Sequence, residues 1–258
     1  MFDLANKYYN GEGTEKNLEK AFCWYQKAAK KAAENGVGTE KNLKKTLRWY
    51  QKAAENDNNE AMFNLANRYN NGEGTKKKLE IKAFYWYQKA AENEAAVKDY
   101  IKAMNNLAIC YENGKGTEKN LGKSFYWYQK AAENDNEVAM NNLAICYANG
   151  KGTEKTLEKA FHWYQKAAEN GNKVAMFNLA TCYRNREGTE ENLEKTFCWY
   201  QKVAENGHTG AMHNLAICYE NGKETEKNLE KAFHWYQKAA EKDHLMAMFN
   251  LANSHILL

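Results

Sequence analysis

The sequence predicts an all-α protein, a solenoid of about seven helix-pair repeats with a 36-residue period. Three observations predict it. The tetrapeptide Trp-Tyr-Gln-Lys recurs with Trp at 24, 49, 86, 127, 163, 199 and 235, which are all seven tryptophans of the 258-residue chain. Proline is absent, so nothing breaks a helix interior. The apolar residues are mainly Ala, Tyr, Phe, Trp and Leu, a mixture that favours helix over sheet.

Each repeat reads as two helices. In the copy that starts at Ala139, residues Ala139, Leu143 and Tyr147 lie four apart and mark one face of a first helix. Asn149-Gly150-Lys151-Gly152 supplies a stop, because glycine adopts the left-handed C′ conformation without a Cβ penalty. A second helix follows, with Leu157, Ala160, Phe161, Tyr164, Ala167 and Ala168 in one apolar stripe. The residue before that stripe is Asn17, Asn42, Asn120, Thr156, Asn192 or Asn228 in six copies, and Asn and Thr are good N-caps. Lys78 interrupts this pattern in a copy with one extra residue, which predicts a shifted or poorer helix start. Neither helix can bury its stripe alone, so pairs must stack on neighbouring pairs.

The copies depart from the pattern in four places. Trp24 and Trp49 are 25 residues apart, 11 short of the period, as if one first-type helix were deleted and a fused helix ran towards Gly36-Val37-Gly38-Thr39. Five extra residues around Glu94–Ile101 predict a following first helix longer by about one turn. Arg186 replaces the usual turn glycine, and Glu224 replaces the second turn glycine in the last copy. Both termini fall within a repeat of what is read as one solenoid domain, 1–258, so exposed residues such as Ile256-Leu257-Leu258 could serve end-to-end self-association.

These residues, A-x-x-x-L-A-x-x-Y-x-x-G-x-G-T followed by A-F-x-W-Y-x-K-A-A-E, resemble the Sel-one-like repeat (SLR) family over essentially the whole chain. That family is related to tetratricopeptide repeats. The resemblance implies a right-handed α/α superhelix that works as an adaptor or scaffold for protein complexes. Members of the family serve in membrane-protein quality control, cell-wall synthesis regulation and signalling.

Charge and motifs argue against other classes. The 37 basic and 33 acidic residues interleave to a net +4, without the basic stripe of a nucleic-acid binder. No apolar run is long enough for a membrane span, and no signal peptide is visible. The six cysteines form no C-x-x-C pair, which fits a reduced, cytoplasmic protein. Cys110, Cys146, Cys182 and Cys218 share one position before Tyr, where equivalent sites about 10 Å apart are too distant for disulfides. They read as small packing residues, and the paired cysteines of a secreted SLR subfamily are lacking. His162, Cys198 and His234 share the position before Trp on consecutive repeats and would have to converge across about 20 Å to hold zinc. Gly150-Lys151-Gly152-Thr153 lacks the spacing and the strand of a phosphate loop. No catalytic, cofactor or metal site is expected, and no small-molecule substrate.

What is left is a surface. On the first helices, positions away from the core stripe carry Phe63 and Asn67, Asn105 and Ile109, Asn141 and Ile145, Phe177 and Thr181, His213 and Ile217, and Phe249. Apolar residues on a face the core does not need mark a concave surface for proteins or peptides. Contact with the neighbouring repeat explains the same Ile and Phe residues equally well. The leading expectation is a non-enzymatic protein-interaction scaffold. Its alternatives are an incomplete fragment of a larger signalling protein, such as a kinase-linked repeat array, and an RNA-binding helical repeat.

Overall fold

The computed structural model describes residues 2–34, 40–73, 79–93 and 97–254. Among them are fourteen helices and no strand. The chain forms two compact units, residues 1–134 and 135–258. The first unit contains α1 (Phe2–Asn10), α2 (Leu18–Glu34), α3 (Glu40–Ala54), α4 (Asn59–Asn71), α5 (Glu80–Glu92), α6 (Val97–Asn113) and α7 (Leu121–Glu133). The second contains α8 (Glu137–Asn149), α9 (Leu157–Glu169), α10 (Lys173–Asn185), α11 (Leu193–Glu205), α12 (Thr209–Asn221), α13 (Leu229–Ala240) and α14 (Leu245–Ser254). Within each unit consecutive helices pack on one another, the arrangement of a helix-pair solenoid.

The core follows the predicted stripes. Ala139, Leu143, Ala160, Ala167 and Ala168 are all at most 2% exposed, and most of their counterparts in the other full copies are buried as deeply. The small alanines let helices approach closely, and the aromatic rings close the remaining gaps. Phe84 meets Tyr111, Phe161 meets Tyr183 and Phe197 meets Tyr219, each edge-to-face at 5.3–5.4 Å, so α5, α9 and α11 are each clasped by the next first helix.

First helices start on Asn58, Asn136 and Asn172, whose side chains each accept the N–H three residues on. Gly150 ends α8 at φ 69° and returns its N–H to the Cys146 carbonyl, as the stop signal requires. The second helices start on Asn17, Asn120, Asn192 and Asn228, each with a side-chain cap bond of 2.8–2.9 Å. Their own N–H groups bond to Tyr8, Tyr111, Tyr183 and Tyr219 carbonyls of the preceding first helix, which fixes where the chain turns.

Two predicted caps are corrected. Asn42 lies inside α3, which begins at Glu40. No first helix precedes α3, so there is no tyrosine carbonyl to pin the turn at that residue. Thr156 does stand at the N-cap of α9 but makes no side-chain cap bond; its hydroxyl faces the Glu154 carbonyl at 3.4 Å. In α5 the start keeps its distance from Trp86, and Leu79 stands at the cap without a side-chain bond. The extra residue therefore leaves the start poorer without shifting it, and it displaces Ile81 outward to 75% exposure. Lys78 itself, the Gly36–Thr39 segment, the insertion at 94–96 and the terminal Ile256–Leu258 lie outside the described residues.

The short spacing between Trp24 and Trp49 corresponds to one uninterrupted helix, α2, of 17 residues, followed directly by α3. A first-type helix is missing between them. Phe22 of α2 meets Tyr50 of α3 edge-to-face at 5.8 Å, so Tyr50 occupies the role that Tyr183 plays for Phe161. The five extra residues before α6 are matched by a helix of 17 residues, four more than α8 or α10.

Candidate protein-interaction surface

The face of the first helices that carries the candidate residues is built around the tyrosine after each Trp. In the first unit the Tyr87 hydroxyl donates to Asn67 Oδ1 at 2.6 Å, and the Phe63 ring leans on Tyr87 at 6.2 Å. In the second unit Thr181 and Tyr200 hydroxyls lie 3.2 Å apart, with Phe177 at 5.7 Å from the Tyr200 ring and His213 at 5.7 Å from Tyr236. At two of the three isoleucine positions the tyrosine finds a glutamate instead. Tyr128 donates to Glu112 at 2.9 Å beside Ile109, and Tyr236 to Glu220 at 2.6 Å beside Ile217.

Phe63, Asn67, Ile109, Ile145, Phe177, Thr181, His213 and Ile217 are accordingly half-buried, and Phe249 is 62% exposed. Asn105 and Asn141, expected on the open face, are buried instead, at 7% and 6% exposure. The reason is polar pairing. Asn178 Nδ2 donates to Asn141 Oδ1 at 3.1 Å, and Asn105 Nδ2 reaches Asn106 Oδ1 at 3.4 Å. Asn106 in turn donates to Asn67 at 3.3 Å, and Asn250 faces His213 Nε2 at 3.3 Å.

Asn106, Asn178 and Asn250 thus stitch one first helix to the one before it, a role the sequence reading missed. The signal was present: an asparagine directly precedes the core leucine at 64, 106, 142, 178, 214 and 250.

The remaining candidates separate cleanly. Cys110, Cys146, Cys182 and Cys218 are buried. Burial pushes the Cys110 thiol up to about 11 and the Cys182 and Cys218 thiols up to about 12, so they stay protonated and inert. Cys23 and Cys198 are exposed, and His162 and His234 rest edge-on against their own tryptophans at 5.8 Å. No three His, Cys, Asp or Glu side chains among the described residues are placed to hold a metal ion. Glu224 tucks its side chain in to 2% exposure, with one oxygen 3.7 Å from Arg184 Nε and the other without a partner.

An aromatic cluster fills the junction of α1, α2 and α3 in the first unit. Tyr25 stacks face-to-face on Trp49 at 3.9 Å, Tyr9 meets Trp49 edge-on at 4.9 Å, and Lys52 Nζ lies over both Tyr9 and Trp49. Tyr9, Phe22, Tyr25, Trp49, Lys52 and Asp57 line a half-open cavity of about 220 Å³ there.

The Sel1 repeat signature matches seven segments, residues 1–32, 31–58, 59–94, 101–136, 138–172, 173–208 and 209–244. The chain belongs to the Sel1 repeat family. Sel1 repeats generally mediate protein binding and are generally non-catalytic. The segment 31–58 is the copy that lacks its first helix. The chain is similar to c5321, a protective antigen of uropathogenic Escherichia coli with an SLR fold, at 27% identity and a TM-score of 0.77. That match covers 98% of this chain and 55% of the other, so the Sel1 repeat chain spans about half the length of that relative. A Sel1 repeat protein from Oxalobacter formigenes is similar at 30% identity and a TM-score of 0.67, over 92% of this chain and 83% of its own. No curated protein matches this sequence. No helix among the described residues is long and apolar enough to cross a membrane.

Proposed function

We propose that this Sel1 repeat chain is a non-enzymatic scaffold that binds other proteins or peptides on the first-helix face of its units. Phe63, Asn67 and Ile109 supply that surface in the first unit. Ile145, Phe177, Thr181, His213, Ile217 and Phe249 supply it in the second. The observation that carries the reading is the behaviour of the tyrosines beside Ile109 and Ile217. Their hydroxyls find Glu112 and Glu220, so the core does not depend on isoleucine at those positions, yet a partly exposed apolar side chain stands there. Apolar area kept at a place where Asn67 or Thr181 serves the core as well is area available to a partner. The six cysteines, none of them in a C-x-x-C pair, support a reducing, cytoplasmic setting, in which the chain acts as an adaptor in signalling or assembly.

The test uses a tagged chain beside an Ile109→Glu, Ile145→Glu, Ile217→Glu triple variant, both verified as helical by circular dichroism. A partner captured from lysate is identified, purified and titrated against both proteins. The expected result is binding to the parent chain at least about tenfold tighter than to the variant, as loss of central apolar anchors implies. Equal affinity for both proteins would overturn the assignment of this face.

A further inference from the structure

Three imidazoles come together in the second unit, at the helix starts of its last two first-type helices. His208 stands at the N-cap of α12, and its Nδ1 accepts the Ala211 N–H at 3.1 Å. His244 does the same for α14, with Nδ1 3.2 Å from the Ala247 nitrogen, whose N–H it shares with the His244 carbonyl at 3.0 Å. His213, one turn into α12, stacks on His244 with ring centres 4.9 Å apart and planes at 30°. The equivalent pair one repeat earlier is Phe177 of α10 stacked on His208 at 4.9 Å and 28°. The equivalent cap positions elsewhere are Asn58, Asn136 and Asn172, whose amide oxygens accept at any pH.

We propose that His208 and His244 form an acid-sensitive latch, in which protonation removes the caps of α12 and α14 and loosens the last two repeats. A neutral imidazole offers one lone pair, and in both residues that lone pair is spent on the cap. Protonation turns Nδ1 into a donor that faces another donor. It also puts a positive charge at the positive end of each helix dipole.

The surroundings add to the effect. The charged and titratable groups facing these rings are Arg184 from α10, Glu220 from α12, Tyr236 from α13 and the two other histidines. Lys242, in the segment leading to α14, lies beside Gly207 just before the α12 cap. Glu205 at the end of α11 and Asp243 before His244 are exposed to solvent. A side-chain hydrogen bond with Asn214 and the Glu220 carboxylate favour a charged His213, but that carboxylate already accepts from Tyr236 and both effects are outweighed by burial and His244.

Burial first, and then the charge on His244, hold both His208 and His213 below the ordinary histidine range. The sign follows. The unfolded chain takes up these protons near pH 6.5, before the folded one does. The stabilisation is therefore complete above about 6.5 and is lost as pH falls through the lowered folded-state values.

Hydrogen exchange on the full chain tests this, at about pH 7.5 and about pH 5.5, beside the double variant His208→Asn, His244→Asn. Asparagine is the residue that caps the equivalent helices, so the variant keeps both caps. In the parent chain the protection factors of the Ala211 and Ala247 amides should fall at least about tenfold on acidification, and in the variant they should hold. Protection that survives acid in the parent chain, or that falls equally in the variant, would overturn the latch. Amides of α9, remote from the three histidines, serve as the reference in both proteins.

Discussion

Gly188, in the turn after α10, lies against the Leu157 carbonyl at the start of α9, so that a Cβ on it would come within 2.1 Å of that oxygen. Gly116 stands in the same relation to Glu80 at the start of α5, at 2.2 Å. The second turn glycine thus sets how closely a repeat seats on the second helix of the repeat before it. Gly188→Ala must displace backbone as well as bear a left-handed φ of 72°. It should cost at least about 2 kcal/mol, seen as a lowered urea midpoint. Gly171→Ala has a φ of 89° and nothing within 4 Å of the added Cβ, so it carries the conformational penalty alone, about 1 kcal/mol. Equal costs for the two variants would remove the seating role.

Arg186 ends α10 in the left-handed region at φ 62°, where glycine stands at the equivalent Gly150. Its guanidinium pairs with Glu191 at 2.6 Å, but the pair is solvent-exposed and contributes little. Relief of the backbone should outweigh the lost pair, so Arg186→Gly is expected to raise the thermal midpoint by about 2 °C. Differential scanning calorimetry decides the sign, and a lower midpoint would mean that the ion pairs of Glu191, with Arg186 and with Lys223 at 3.3 Å, matter more than the turn.

The architecture was legible because a tandem repeat states the same local rules many times. Spacing of the tryptophans alone located the missing helix before α3 and the longer α6. Rules carried from one copy to another failed where the neighbour differed. Asn42 resembles Asn120 in sequence, yet a cap is made by the turn that presents it, and that turn needs the carbonyl of a preceding first helix. The interaction face was legible as a set of positions but not as a surface. Asn105 and Asn141 alternate with Phe63 and Phe177 at one site, and their burial goes with asparagine partners, Asn178 reaching Asn141 from the next first helix and Asn106 meeting Asn105 within α6. The histidine caps were illegible for a related reason: His208 and His244 stand where Asn stands elsewhere, and their stacking depends on three segments meeting.

Two second helices begin without a side-chain cap, at Leu79 and Thr156. In both, the cap residue already has extended or near-extended backbone, so asparagine can reach the N–H three residues on without rearrangement. Leu79→Asn and Thr156→Asn should each stabilise by about 1 kcal/mol, read as a raised denaturant midpoint with an unchanged slope. A lower midpoint for Leu79→Asn alone would show that the half-buried leucine packs more than the missing bond is worth.

The six thiols should divide two to four. Cys23 and Cys198 stand exposed on second helices, directly before Trp24 and Trp199, while Cys110, Cys146, Cys182 and Cys218 lie buried in the first helices. Reaction requires a thiolate that a reagent can reach. Burial denies access to all four inner cysteines, and at Cys110, Cys182 and Cys218 it also raises the thiol well above neutral pH. Brief treatment of the native chain with iodoacetamide near pH 7.5 should therefore add two labels by intact mass, mapped to Cys23 and Cys198, and six after unfolding. The inner sites report on different repeats, so their labelling rates in mild urea would rank the local stability of α6, α8, α10 and α12. Uniform rates equal to that of global unfolding would mean the repeats open together, whereas earlier labelling of Cys218 would place the weakest point in α12, the helix capped by His208.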